Sequence, residues 1–191
     1  MAYSKHTNPD VARRLWILCR QIYQAHRSLI IYRALHSVVA ASPKSTCADA
    51  FLAISDASVN NLIVMTHQLF DETKGAYSLF HANKDKALYK TKDDTARLGS
   101  LFTNYRESIK KIRQYRHDVA AHASRDKSAK TILEGLGLEI GEVEAILKAA
   151  AACVEELLLA NPIFGMRIPD FDQSNENLEA QLKNVFAKGF A

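Results

Sequence analysis

The stretch KIRQYRHDVAAHASRDK, Lys111 to Lys127, gathers the side chains of this chain best suited to acid–base chemistry beside a phosphate. An imidazole such as that of His122 has an ordinary pKa of about 6.5, so it can take up or release a proton at neutral pH. A guanidinium such as that of Arg116 can grip a phosphate through two parallel N–H donors and stabilise charge developing on its oxygens. Asp118 stands four residues before His122, a helical spacing at which a carboxylate can orient the ring and fix its tautomer. His117 supports the pair, while Arg113 and Lys110, earlier on the same helix, supply charge that can bind or steer phosphate. Lys111, Arg125 and Lys127 add to that positive potential. One reaction uses these residue types together: cleavage of RNA by its own 2′-hydroxyl, a step that requires no metal.

Other chemistries lack their residues. The sequence has no glycine-rich phosphate loop, no HExxH, no CxxC and no GxSxG. Cys19, Cys47 and Cys153 lie far apart, which gives neither a disulfide framework nor a zinc pattern and fits a reduced, cytoplasmic compartment. His67 and Asp71 fall four apart at the end of a helix, where they form either a metal-binding or ring-orienting pair or a plain solvated hydrogen bond. No metal and no cofactor is expected. The polar N-terminus MAYSKHTNPD carries no secretory signal, and no apolar run reaches the roughly 18 residues of a membrane span.

The elements that must position Arg116 and His122 are helices. With 48% apolar residues, 24% charged, and only 7 Gly and 4 Pro among 191 residues, the chain favours long uninterrupted segments and a single domain with a substantial core. A formal charge of +4 permits an anionic partner without demanding one. Asn8-Pro9-Asp10 starts a first helix, whose stripe Val11, Leu15, Leu18, Ile22, Ala25, Leu29, Tyr32 and Val39 runs to about Ser42-Pro43. A second runs from about Thr46 to Phe70, with Phe51, Ile54, Leu62, Met65 and Leu69 as its stripe, widened by Val59, Ile63 and Phe70. A loop with one short helix around Tyr77 to Tyr89 leads to a third long helix, from Asp93-Asp94 to about Ala123. After the polar connector SRDKSAK and turns at Gly135, Gly137 and Gly141, a fourth helix carries Val143, Leu147, Ala150, Val154 and Leu157. A short tail helix carries Leu178, Leu182, Val185 and Phe186. The expected architecture is all-α: an up-and-down four-helix bundle with a short appended C-terminal helix, one domain over 1–191 with its core at about 10–160 and an extension over 161–191.

On the third helix the stripe reads Leu98, Phe102, Tyr105, Ile109, Ile112, Arg116, Val119, His122. Arg116 and His122 thus occupy places the pattern reserves for apolar residues. Burying an unpaired guanidinium costs many kcal/mol, so Arg116 must meet an acid such as Asp56 or Asp71, snorkel at a helix end, or line a cleft. Ala120, Ala121 and Ala123 remove bulk nearby, which suits the close approach of a ligand or a second chain.

The segment resembles the signature of the HEPN superfamily (higher eukaryotes and prokaryotes nucleotide-binding), an Arg followed after four to six residues by His. Here Arg116 and His122 enclose five residues, and the position after the Arg is polar, as that superfamily prefers. Arg20 and His26 share the spacing, but they lie on the first helix and Gln21 follows the Arg. The length and the LFDE segment, Leu69 to Glu72, look most like the abortive-infection branch, and the likeness spans about residues 10–160. It implies a metal-independent endoribonuclease in which the Arg binds phosphate and the His acts in acid–base chemistry. It also implies a homodimer, because such sites are assembled where two motif helices face each other. RNA is the implied substrate of a toxin or antiphage effector, restrained by an antitoxin or another regulatory protein. The alternative is a catalytically inactive helical module that binds a protein partner or a nucleotide.

Overall fold

The structure, a computed structural model, describes residues 8–41, 48–73, 76–88, 92–122, 129–161 and 166–168, with tail positions 177, 180, 181 and 184; within the helices it leaves the side chains of residues 41, 48, 92–95 and 120–122 undescribed. Every regular element among these residues is an α-helix, as expected. Helix α1, Pro9–Ala41, begins under an asparagine cap: Asn8 Oδ1 accepts from the Asp10 amide at 2.9 Å. Pro9 fills the first helical position, where its missing N–H leaves nothing unsatisfied. Val11, Leu15, Leu18, Ile22, Ala25 and Leu29 are all buried along one face. Each buried Leu or Ile of that stripe contributes about 2 kcal/mol relative to exposure.

Helix α2, Ala48–Leu69, packs along α1. Its inner face differs from the expected stripe at the N-terminal end, where Ile54 is 47% exposed and Ser55 and Ser58 are buried instead. Hydrogen bonding permits the exchange. Ser58 donates to the Ile54 carbonyl at 2.9 Å and Thr66 to that of Leu62 at 2.8 Å, so these hydroxyls enter the contact satisfied. Asn61 of α2 donates to Ser28 of α1 at 2.6 Å, a polar pin across the two helices. Helix α3, Leu79–Ala82, is the expected short helix, capped by Ser78.

The expected third helix is two segments, α4 (Lys92–Asn104) and α5 (Arg106–His122), which meet at Tyr105. Helical hydrogen bonds continue through the joint: Tyr105 donates to Leu101 at 3.1 Å, and Ile109 donates to Tyr105 at 2.8 Å. Neither Gly nor Pro stands there, but the neighbours change: α4 packs on α7 (Ile140–Ala160), whereas α5 packs mainly on α2 and α6 (Ala129–Leu136).

Helix α6 was not expected, since its start falls in the polar connector and Gly135 lies inside it. Buried Ala129 and Leu133, with half-buried Ile132 and Leu136, give it an apolar face. Gly137, at φ 56°, ends it: the Gly137 amide donates to Glu134 at 3.1 Å and that of Leu138 to Leu133 at 3.0 Å. That pattern requires a left-handed residue, which glycine adopts without strain. Helix α7 buries Val143, Leu147, Ala150, Val154 and Leu157 as expected. The positions expected to form the tail stripe, Leu178, Leu182, Val185 and Phe186, lie outside the described residues. No helix among the described residues is long and apolar enough to cross a membrane.

Candidate functional site

Helix α5 lies against the C-terminal end of α2, and the residue that anchors it is Tyr115. Its ring is fully buried and its hydroxyl donates to Asn60 Oδ1. Burial pushes the phenol up, and the Asp56 carboxylate adds to the effect. This corrects the expected seam, which turns inward through Ile109, Ile112 and Tyr115 and leaves Arg116 outside it. Both paths have helical spacing; burying a phenol with one bonded oxygen costs far less than burying a guanidinium.

Arg116 projects over the end of α2 with its side chain 51% exposed, and its Nη1 stands 3.8 Å from Asp71 Oδ2. Asp71 was one of the two acids expected to face it. The other, Asp56, is engaged elsewhere: burial raises its pKa, and the backbone N–H of Ala129 at the start of α6 opposes that rise. Asp71 is fixed by its own turn. Thr73 donates to it from its amide at 2.9 Å and its hydroxyl at 2.8 Å, while Ser78 donates to the Asp71 carbonyl at 2.5 Å. Burial works to raise the Asp71 pKa, yet the Thr73 hydrogen bonds, with His67 and Arg116, hold it below the usual value.

One turn earlier, His67 is buried at 6% exposure, and its Nδ1 makes no hydrogen bond with a described residue. Burial first, then the positive charges of Arg116 and Arg113, lower its pKa against the opposing pull of Asp71. The ring is therefore neutral at neutral pH. His67 and Asp71, a pair in the sequence, thus form one cluster with Arg113 and Arg116 of α5. Among the described residues no group of three or more His, Cys, Asp or Glu is placed to hold a metal ion.

Arg113 is tied down. It donates to the Phe70 carbonyl at 3.2 Å and to the Glu72 carboxylate. Phe70 is itself fixed, fully buried and edge-on to Phe102 at 5.8 Å. Lys111 donates to the Gly137 carbonyl at 2.5 Å, and Glu142 lies 3.6 Å from it. Lys110 and His117 are exposed. Asp118 accepts from Gln114 at 2.8 Å, one turn back on the same helix. His122 is the last residue of α5; its side chain, like those of Ala120 and Ala121, is not described, and Ala123, Arg125 and Lys127 lie outside the described residues. Of the sequence-derived set, then, the structure brings Arg113 and Arg116 together, at the end of α2.

The shared spacing of Arg20 and His26 does not converge, for His26 is buried while Arg20 is exposed over the Trp16 ring. Cys19 and Cys153 are free; burial pushes Cys19 up to about 11 and raises Cys153, which leaves both thiols protonated at neutral pH. Sequence reasoning passed over Tyr115, Asn60, Glu72 and Thr73. The one available signal was that Tyr115 fits the apolar spacing as well as Arg116 and is the better residue to bury.

A bundle of long helices whose Arg-led polar segment lies late on the helix before the last long one is the arrangement of the HEPN class. The HEPN_AbiU2 family model, described as AbiU2, matches residues 9–160, from the first turn of α1 to the end of α7. The chain belongs to this family. No curated protein and no solved structure matches it.

Proposed function

We propose that this protein is a metal-independent endoribonuclease serving abortive infection, with Arg116 and His122 as its working pair. The observation that carries the reading is the state of Arg116: family-matched helix, motif position, side chain half-exposed, and, among the described residues, one loose ion pair. With the guanidinium half-exposed and 3.8 Å from its acid, the pair is worth about 1 kcal/mol, so a scissile phosphate can take the place of Asp71 at little cost. The guanidinium then holds the phosphate while the RNA 2′-oxygen attacks phosphorus and the bond to the 5′-oxygen breaks. One imidazole takes the 2′ proton and an acid returns one to the 5′-oxygen, leaving a 2′,3′-cyclic phosphate. Two copies related by a two-fold axis supply both groups from one His122 each. His117, Lys110 and Arg113 line the approach, Arg113 by fixing the end of α2.

A second reading has its own observation: Arg113 and Arg116 both find acids within the chain, as they would in a silent binding module. Cleavage of single-stranded and structured RNA by purified protein in EDTA separates the two. The ribonuclease reading expects cyclic-phosphate ends from the wild type and at least a hundredfold loss in both Arg116→Ala and His122→Ala. A folded dimer that cuts none of these RNAs leaves the binding module.

A further inference from the structure

One face of α1 carries charge and aromatic rings that the bundle does not use. Arg13, Trp16, Arg20, Tyr23 and Arg27 follow at steps of three, four, three and four, and all five are exposed. At 100° per residue those steps keep them within about 80° of arc, along about 21 Å of helix. Trp16 is 48% and Tyr23 55% exposed, although rings of this size usually end in cores or interfaces. The core face of the same helix is already filled by Leu15, Leu18, Ile22 and Leu29. The one acid on the helix is Asp10 in its first turn, three residues before Arg13; from Val11 to Ala41 it contains no Asp or Glu. Arg14 and Arg33, on neighbouring faces, pair with Asp85 and Glu144, whereas Arg13, Arg20 and Arg27 make no ion pair with a described residue. Arg20 instead lies over the Trp16 ring, 5.3 Å from its centroid.

We infer that this stripe binds single-stranded RNA, with Trp16 and Tyr23 stacking on bases and the three arginines contacting phosphates. Interleaved rings and cations are what an unpaired strand needs, since every base has a face to stack and every linkage a negative charge. A second copy fits the surface poorly, because a two-fold contact would set arginine against arginine. A lipid surface also fits poorly: an interfacial helix separates its apolar face from its charges, and here they alternate. The inference rests on the ribonuclease reading for the identity of the strand, and it gives that enzyme a holding surface on a helix other than the one that carries the motif.

The test is the anisotropy of a short labelled single-stranded RNA titrated with full-length protein carrying His122→Ala, so that the strand survives. Adding Trp16→Ala with Tyr23→Ala is expected to weaken binding at least tenfold, whereas Phe at both positions retains most of the affinity. Adding Gln at Arg13, Arg20 and Arg27 is expected to weaken binding and to lower the log–log salt slope by about two, the share of three phosphates on a single strand. Circular dichroism checks that each variant stays folded, and the two sets test the stripe independently. Unchanged affinity in both sets overturns the inference, as does failure of the stripe-intact protein to bind RNA. Loss of dimerisation or of vesicle binding with RNA affinity intact overturns it too. RNA held through the stripe by a protein that cuts none sinks the ribonuclease reading alone; cutting and binding indifferent to the stripe sinks this inference alone.

Discussion

The Arg116 guanidinium lies 3.8 Å from the Asp71 carboxylate, pairing a half-exposed base on α5 with a nearly buried acid just past α2. Asp71 is ionised at neutral pH, and on the ribonuclease reading it competes with phosphate for Arg116. Asp71→Asn keeps an oxygen for Thr73 and removes the charge. RNA affinity at low salt is expected to rise about two- to fivefold, the worth of one loose, partly exposed pair. An unchanged Kd in the binding titration means that phosphate does not meet Arg116.

Tyr115 anchors α5 through its ring more than through its hydroxyl. Tyr115→Phe is expected to cost about 1 kcal/mol, the net value of one hydrogen bond to Asn60. Tyr115→Ala is expected to cost about 3–5 kcal/mol through the cavity it leaves. Urea melts measure both. Equal costs would show that the hydroxyl, rather than the ring, holds the helix.

Stability is expected to fall in two stages on acidification. His67 is depressed below its ordinary 6.5 in the fold, so the unfolded chain takes up that proton first. Its contribution is complete above pH 6.5, declines as pH falls, and levels off below the folded value. Asp71 and Glu142 are depressed below 3.8 and 4.5, so their contributions persist above those values and are lost below them. The Glu142 shift comes mainly from the Glu139 amide, against burial, with help from Ser108 and Lys111. Unfolding free energy measured across acid pH should show both stages, and His67→Gln should erase only the upper one. An upper stage that survives in the variant would place its proton elsewhere.

Two glycines two residues apart should respond to alanine with opposite signs. Gly135 lies inside α6 with nothing within 4 Å of an added Cβ, so Gly135→Ala should stabilise by about 0.5–1 kcal/mol. Gly137 also has open space, but its φ of 56° strains any side chain, and Gly137→Ala should cost about 1–2 kcal/mol. Thermal melts of the two variants decide it, and shifts of the same sign would refute the assigned backbone roles.

Much of this fold is legible because apolar spacing is redundant. On α1 and α7 so many buried residues repeat at three and four that one misfit changes nothing. On α5 the repeat is thin, and a single choice between Tyr115 and Arg116 moves the seam. Asp71 could be named as a partner of Arg116 because it stands just past α2, four residues after His67, yet Arg113 could not be assigned to Glu72 and the Phe70 carbonyl. Those acceptors lie in a turn whose path depends on Thr73, Ser78 and the Phe70–Phe102 contact, none of which leaves a periodic trace. Helix α6 escaped notice for a related reason: its apolar residues are few, and its start borrows an acid, Asp56, from a distant part of the chain.

Along α5, Ser108 and Lys111 meet Glu142, Arg113 meets Glu72, Tyr115 meets Asn60 and Arg116 meets Asp71. These ties join one helix to three different parts of the chain, and all depend on the rotation of that one helix. Inserting or deleting one residue before Ser108 turns everything after it by about 100° and breaks them together. Exposed positions such as Glu107 carry no part of this constraint, whereas the number of residues from Tyr105 to Arg116 cannot change. Helical phase, set upstream of the motif, aims its arginine.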